Sequence, residues 1–503
     1  MSAESKASHY RSSRTSTPDM CPSTKKLFKI ALFLLFLSLV FALLSSYMSF
    51  YLFSEEDEHL AVPDDRDGGQ QGDKYVFMDK SHKKEPIFLP PEGPTDLPII
   101  VWWTDFVPET RAIRKCKEGS CLITKSRTEL QNPDVSAFMY YGTDVDWNDL
   151  PLPRKPHHMW ALLHEESPKN NWILATEKGI ELFNFTATCS RYSSYPLHLH
   201  FFHNVERLMQ PIRYPTQLKS KGSLGQVFFM QSDCDPPSDR DSYMEELMKY
   251  IDVDSYGRCL HNKDLPDELQ DPLTFNSEGV MNIVGKYKFA IAFENAICND
   301  YITEKFWRPL YAGAVPIVRG SPTVKDWAPS ERSIILAEDF PTPKHLAEYL
   351  KFLDGNDAEY EKYLAWKTEG VTNKRLLADY NSREWFIEND GLSFIDGFQC
   401  YVCDQLHLRR RKNIKAPLIA DKSHYDCPMA EPALKHTGHT LRERMAKLRH
   451  EARSELSYWR HHARCSERKA GIISKLISQG ATQQQVTEET KNACLDIPWS
   501  DSD

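Results

Sequence analysis

The chain has 503 residues, 41% hydrophobic, 12% aromatic and 26% charged, a usage that excludes a disordered protein and leaves room for about two to four folded units. Its formal net charge of −9 argues against nucleic acid as a partner, because a phosphate-binding surface carries a basic excess.

The first 29 residues carry Arg11, Arg14, Lys25, Lys26 and Lys29 and read as a cytosolic tail. Residues 30–53, Ile30 to Phe53, are uncharged, rich in Leu and Phe, and long enough to cross a bilayer as one helix, which needs about 20 apolar residues. Glu55, Glu56, Asp57 and Glu58 follow, so the positive-inside rule predicts a type II signal anchor with everything beyond Phe53 in the lumen. A cleaved signal peptide is the rival, but the run exceeds the usual apolar length and has no small-x-small exit. Residues 54–97, acidic and then rich in Gly, Gln, Asp and Pro, read as a stem.

Folded structure is predicted from LPIIVWW (Leu97 to Trp103), with further strand-like runs at SAFMYYG (Ser136 to Gly142) and MWALLHEE (Met159 to Glu166), giving a first α/β lobe over 98–220. A second lobe over 221–375 opens with QVFFMQSD, followed by a helical pattern at Tyr243, Leu247 and Tyr250. It then alternates strand and helix through YKFAIAFEN, 303–312, AVPIVRG, SIILAEDF and HLAEYLKFL. That alternation predicts parallel sheets flanked by helices, in two units facing across a cleft. A return segment, 376–408, holds Cys400 and Cys403. The basic extension 409–503 carries Leu441, Met445, Leu448, Ala452 and Trp459 on one face of a predicted amphipathic helix, its Lys/Arg-rich face read as solvated.

Twelve cysteines in a lumenal chain read as disulfide material. Pairing Cys116 and Cys121 with Cys400 and Cys403 would tie the start of the fold to its end, while a redox or zinc half-site is the rival for the CxxC. Cys189 and Cys298 are expected to serve in packing or a disulfide. Asn184, Phe185 and Thr186 form a glycosylation sequon, which could carry a glycan, approach the active site, or hold a buried, hydrogen-bonded asparagine.

The richest chemistry lies in FENAICNDYITEKFWRPLYAGAVPIVRGSP, Phe293 to Pro322. Thr303 reads as a helix N-cap with Glu304 and Lys305 in the first turn. A lysine there would add its charge to the helix dipole and suit a diphosphate, and Glu304 could accept from ribose hydroxyls. An ordinary capped amphipathic helix fits the same residues. The Asp-x-Asp triplets at Asp144, Asp233 and Asp252 are weak signals in so acidic a chain, and no metal site is assigned to them.

This segment resembles the donor-binding signature of glycosyltransferase family 10, the α1,3-fucosyltransferases, whose FEN and DYITEK elements occur here and whose GAVPVV is matched by GAVPIV. HEESPKNN at His164, FNFTATCSRYS at Phe183, SDCDPPSDRDSY at Ser232, VDSYGRC at Val253 and the late CxxC follow in family order, so the resemblance covers about Pro98 to Asp404. It implies two Rossmann-like lobes of the GT-B type and inverting transfer of fucose from GDP-fucose. Glu166 would be the catalytic base, with Glu165 the less suited neighbour. Arg240 would bind the diphosphate, Tyr301, Glu304 and Lys305 the guanosine, ribose and phosphates, and Glu294 and Asn295 would brace the loop. No cofactor is implied, and a divalent metal is not expected to be essential.

HEESPKNN, the DPPSDR segment, FWRPL, the GSP after the apolar run and the long C-terminus depart from the Lewis-antigen-forming members and resemble the divergent metazoan tenth and eleventh members. For that branch the resemblance implies transfer to Ser or Thr of folded EMI modules in the endoplasmic reticulum. The alternatives are α1,3-fucosylation of N-acetylglucosamine in the Golgi apparatus and, from another class, a non-catalytic lumenal binding protein or chaperone. The partners expected are GDP-fucose, a lumenal protein or glycoprotein acceptor and the membrane through one helix.

Overall fold

The computed structural model describes residues 87–88, 96–108, 111–271, 276–385, 393–414, 416, 418–434 and 444–499, with backbone only for 87–88 and 444–455. The predicted membrane span and cytosolic tail, and nearly all of the stem, lie outside them. No helix among the described residues is long and apolar enough to cross a membrane.

Two sheets organise the chain. The first has seven strands in the order β1-β3-β4-β2-β5-β6-β7: β1 Ile87–Phe88, β2 Ile99–Trp102, β3 Arg111–Lys115, β4 Ser120–Thr124, β5 Val135–Tyr141, β6 Met159–His164 and β7 Phe185–Thr188. From β4 to β7 neighbouring strands run parallel, whereas β3 pairs antiparallel with β1 and β4. The second is wholly parallel, in the order β12-β11-β10-β8-β9: β8 Val227–Phe229, β9 Val253–Ser255, β10 Phe289–Phe293, β11 Val315–Arg319 and β12 Ile335–Leu336. Parallel strands covered on both faces need apolar side chains at successive positions, which is why IIVW, FAIAF and VPIVR are buried throughout.

In the second sheet, Val227, Phe229, Phe289 and Ile291 pack against α1 (Arg240–Leu247) and α4 (Pro343–Asp354). Phe228, Ala290 and Ala292 face α2 (Glu278–Gly285) and α3 (Glu304–Ala312), where Phe306, Trp307 and Leu310 fill the opposite core. Helix α3 ends at Gly313, whose φ of 80° is the left-handed C-cap conformation. A Cβ there would lie 2.9 Å from Ile212, so glycine answers both the dihedral and the space.

The chain then returns to the first sheet. Helix α5 (Phe394–Arg411) lays Phe398, Val402 and Cys403 on Ile100, Trp102 and Ile123, and Cys116–Cys400 and Cys121–Cys403 bond it to β3–β4. On the other side of that sheet the core runs through Trp172, Ile173 and Ile180 to α6 (Arg444–Ser478) and α7 (Gln483–Thr490). Of the predicted stripe, Leu441, Met445, Leu448 and Ala452 fall outside the described side chains. Packing is made farther along, by Trp459, Ala463, Ala470, Ile473 and Ile477. Cys465–Cys494 joins α6 to the segment after α7.

Candidate active site

In the second sheet β8 is followed in the chain by β9 on one side and β10 on the other, so the loops leaving β8 and β10 diverge and open a crevice at their carboxyl ends. The β10 exit supplies Glu294 and Asn295, and the β8 exit supplies the loop that ends at Arg240.

Glu294 is 3% exposed. Its Oε1 accepts from the Thr303 amide at 2.8 Å and, like Oε2, from the Thr303 hydroxyl at 2.9 Å. Thr303 caps α3 by accepting from the Lys305 amide, and Lys305 Nζ donates to Thr303 Oγ1 and Glu304 Oε1, each at 3.0 Å, with Glu294 Oε2 3.6 Å away. One ammonium is thus held among three oxygen-bearing side chains at the mouth of a helix, where the dipole favours an anion. Burial raises Glu294, with Lys305 opposing it. Burial also acts upward on Glu304, but Lys305 and Arg308 outweigh it and hold that carboxyl at about 2. Glu304 is therefore a fixed acceptor at neutral pH, as contact with ribose hydroxyls would require.

Arg240 is fully buried and spans the two crevice loops, donating to the carbonyls of Phe293 at 3.0 Å and Asp233 at 2.6 Å, while its Nε has no protein partner. The expected diphosphate ligand is thus engaged with backbone. Asn295 accepts from the Ser238 amide through its carbonyl, and its side-chain Oδ1 is buried without a protein partner. Tyr301 is 2% exposed, its phenol pushed well up by burial and then by Glu166, Glu294 and Glu304.

Glu166 reaches this group from the first sheet, two residues beyond the end of β6. Burial raises its carboxyl, Lys305 is the largest opposing influence, and Glu304 and Asp233 push it up again, which places the carboxyl within electrostatic reach of the α3 mouth. The Tyr425 hydroxyl donates to the Glu166 carbonyl at 2.6 Å, and Lys169, three residues on, pairs with Asp233. Glu165 points elsewhere: the Tyr141 hydroxyl donates to its Oε1 at 3.2 Å, its Oε2 is buried without a protein partner, and burial raises its carboxyl to about 7.

Arg191 and Asp300, absent from the sequence-based set, clamp the two sheets' loops together. The Arg191 amide, Nε and a terminal nitrogen donate to the Asp300 carboxylate at 2.5–3.0 Å, a bidentate pair that draws Asp300 down against its burial. Opposite charges in two separately recognised motifs, FNFTATCSRYS and NDYITEK, were the available signal. Nothing in the sequence marks Tyr425.

Other predicted residues lie apart. Asn184 is 8% exposed, and its Oδ1 accepts from the Trp160 amide at 2.7 Å and from Arg154, while its Nδ2 donates to the Leu418 carbonyl at 2.6 Å. Asn184 is thus a buried residue hydrogen-bonded through both ends of its amide. Asp144 and Asp146 line a cavity of about 420 Å³ in the first sheet, Asp233 pairs with Lys169, and Asp254 accepts from Gly225, Lys263 and Tyr287. Cys121, Cys403 and His407 form a metal-sized group, but its two sulfurs are bonded to each other. Cys298 is bonded to Cys427 and Cys234 to Cys259, while Cys189 is a buried free thiol.

Residues 95–198 match the family described as fucosyltransferase, N-terminal, and residues 218–421 match the C-terminal region of glycosyltransferase family 10 (fucosyltransferase). The GDP-fucose protein O-fucosyltransferase 3 of Canis lupus familiaris is 48% identical over 347 residues, 67% of this chain and 72% of the relative. That of Homo sapiens is 46% identical over 376 residues, 71% of this chain and 78% of the relative. A solved alpha1,3-fucosyltransferase with GDP aligns at a TM-score of 0.37 and 17% identity over 65% of this chain and 93% of its own. The family match runs through the loop that carries Glu166 and the helix mouth that carries Lys305, and this chain belongs to the fucosyltransferases of glycosyltransferase family 10.

Proposed function

We propose that the protein is an inverting transferase of the GT-B type that moves L-fucose from GDP-fucose to a Ser or Thr hydroxyl of folded lumenal modules, EMI modules foremost. The observation that carries this reading is that the loops of the two sheets meet around Glu166 and Lys305: Lys169, three residues after Glu166, pairs with Asp233, Arg191 pairs with Asp300 ahead of α3, and Lys305 is the charge acting most strongly on the Glu166 carboxyl. The names of the curated relatives support protein as the acceptor. The GT-B reading rests on the parallel order of the two sheets, and the single membrane helix at 30–53 and residence in the endoplasmic reticulum rest on the sequence.

In this mechanism Glu166 takes the proton of the acceptor hydroxyl as its oxygen bonds to the fucose anomeric carbon. The bond from that carbon to the diphosphate breaks on the opposite face, GDP departs with the electron pair, and the β-linked donor gives an α-linked product. Raising the Glu166 carboxyl by burial strengthens it as a base, which suits proton abstraction near neutrality. Lys305 and the α3 mouth receive the charge that grows on the leaving diphosphate. Arg240 fixes the two crevice loops and could turn its guanidinium toward the phosphates only by giving up backbone contacts. These cations belong to the chain itself, so the reading needs no resident metal.

The test incubates the full chain with GDP-fucose and either a folded EMI module or an N-acetyllactosamine glycan, with and without a chelator. Transfer to the module, unaffected by chelator, is expected. Transfer to the glycan alone overturns the acceptor, loss with chelator overturns the metal-free mechanism, and GDP binding without turnover on either acceptor indicates a non-catalytic protein.

A further inference from the structure

A second cavity, of about 530 Å³, begins where the two catalytic loops end. Pro168, two residues after Glu166, forms one wall, and Ile297, two after Asn295, forms another. Tyr243 of α1 and Phe340, beyond β12, make the floor on the face of the second sheet opposite α3. The remaining wall is the segment 428–434, including Met429 and Pro432, and it lies past residue 421, where the family match stops.

That wall is fixed on every side. Cys427 is bonded to Cys298, the Ala433 amide donates to Asp239 at 2.8 Å, and Arg460 of α6 donates to the Ala430 carbonyl at 3.1 Å. Yet Met429 stands 53% exposed in it. The cavity also carries Arg319, Lys344 and His345 with Glu246, Glu338 and Glu431, and Arg319 lies 3.5 Å from Glu338, so a large apolar side chain held outward by a disulfide and two hydrogen bonds stands among prolines, aromatic rings and charges of both signs, a mixed surface of the kind that receives a polypeptide. The donor's charges are answered on the other face, at the mouth of α3.

We infer that this cavity is the subsite for the acceptor polypeptide, taking apolar side chains next to the reacting hydroxyl, and that the segment beyond the family domain supplies its outer wall. The inference rests on the reading that the acceptor is a protein. Its occupant enters along the Glu166 loop, so the cavity determines which hydroxyl arrives at the base, without contact to the nucleotide.

The test compares the full chain with Met429→Asp and Met429→Leu, using the same folded module as acceptor. Losing one buried apolar contact of about 1.5 kcal/mol corresponds to roughly a ten-fold change in affinity. For Met429→Asp an acceptor KM raised about ten-fold is expected, with GDP affinity by calorimetry and melting temperature unmoved and Met429→Leu near the parent. An unchanged acceptor KM overturns the inference, and so does a parallel loss of GDP affinity, which would make the cavity part of the donor site. A change in oligomeric state without a change in acceptor KM would assign the surface to a second copy instead. If the parent chain fucosylates only the glycan, the protein-acceptor reading fails first and takes this one with it, an outcome visible before any variant is made.

Discussion

The two sheets share one plan. The parallel strands β4-β2-β5-β6-β7 of the first and β9-β8-β10-β11-β12 of the second have the same order relative to the chain, so each has a crevice between its first and third parallel strands. The second crevice gathers Arg240, Glu294 and, through the α3 mouth, Lys305. The first opens on the cavity with Trp102, Trp103 and Tyr140, where Lys125 pairs with Asp105 and Arg127 with Asp149 while Asp144 and Asp146 leave the lining acidic. Equal topology with unequal chemistry teaches that the work resides in what the loops carry, and the base itself comes from β6, one strand beyond the first crevice.

The largest test of that contrast is Glu166→Gln. Turnover should fall by about 10²–10⁴-fold, the usual contribution of a general base, while GDP affinity by calorimetry is retained. Equal loss of both would move Glu166 into the donor site and erase the division of labour. Next, Lys305→Ala should cost about 10²–10³-fold in rate and weaken GDP binding, whereas Lys125→Ala in the first crevice should leave GDP affinity as it is. A matching loss at Lys125 would show that both crevices hold nucleotide.

A smaller effect is expected at the edge of the first sheet. Asn184→Ala strands the Trp160 amide and the Leu418 carbonyl and should cost about 1–3 kcal/mol in denaturant unfolding. Glycosidase treatment of the parent should remove no mass from Asn184, and a shift in mass would contradict its interior role. The smallest is the pH response of Glu165. Its folded value, about 7, lies above the ordinary 4.5, so the folded state holds a proton that the unfolded chain releases. Stability from this group is complete below about pH 4.5 and declines as pH rises through about 7. Glu165→Gln, which cannot ionise, should flatten melting temperature against pH over that window. An unchanged profile would mean that Glu165 is already ionised.

Much of this was legible beforehand because the local signals were strong. Continuous apolar runs marked β2, β5, β6, β10 and β11, and Thr303 marked the cap of a helix with Glu304 and Lys305 in its first turn. The β3–β4 hairpin escaped notice because RAIRK and SCLIT are short and mixed in polarity, and they are strands by virtue of β2 and the cover of α5. Arg240 was assigned to the diphosphate by the resemblance, and its contacts with the Phe293 and Asp233 carbonyls could not be read from the sequence. Asn184 matched a tripeptide pattern that carries no information on depth. The Arg191–Asp300 clamp and the Tyr425 contact join residues separated by 109 and 259 positions, a proximity that exists only once both sheets have formed.

The bonds from Cys116 to Cys400 and from Cys121 to Cys403 span 284 and 282 positions. A ribosome adding about 5–20 residues per second needs roughly 15–60 s to produce the second partner after the first. Throughout that interval β3 and β4 wait without α5, their thiols available to oxidants and to wrong neighbours, while the entire second sheet is being translated. The amino-terminal sheet therefore cannot be closed covalently until α5 has been translated.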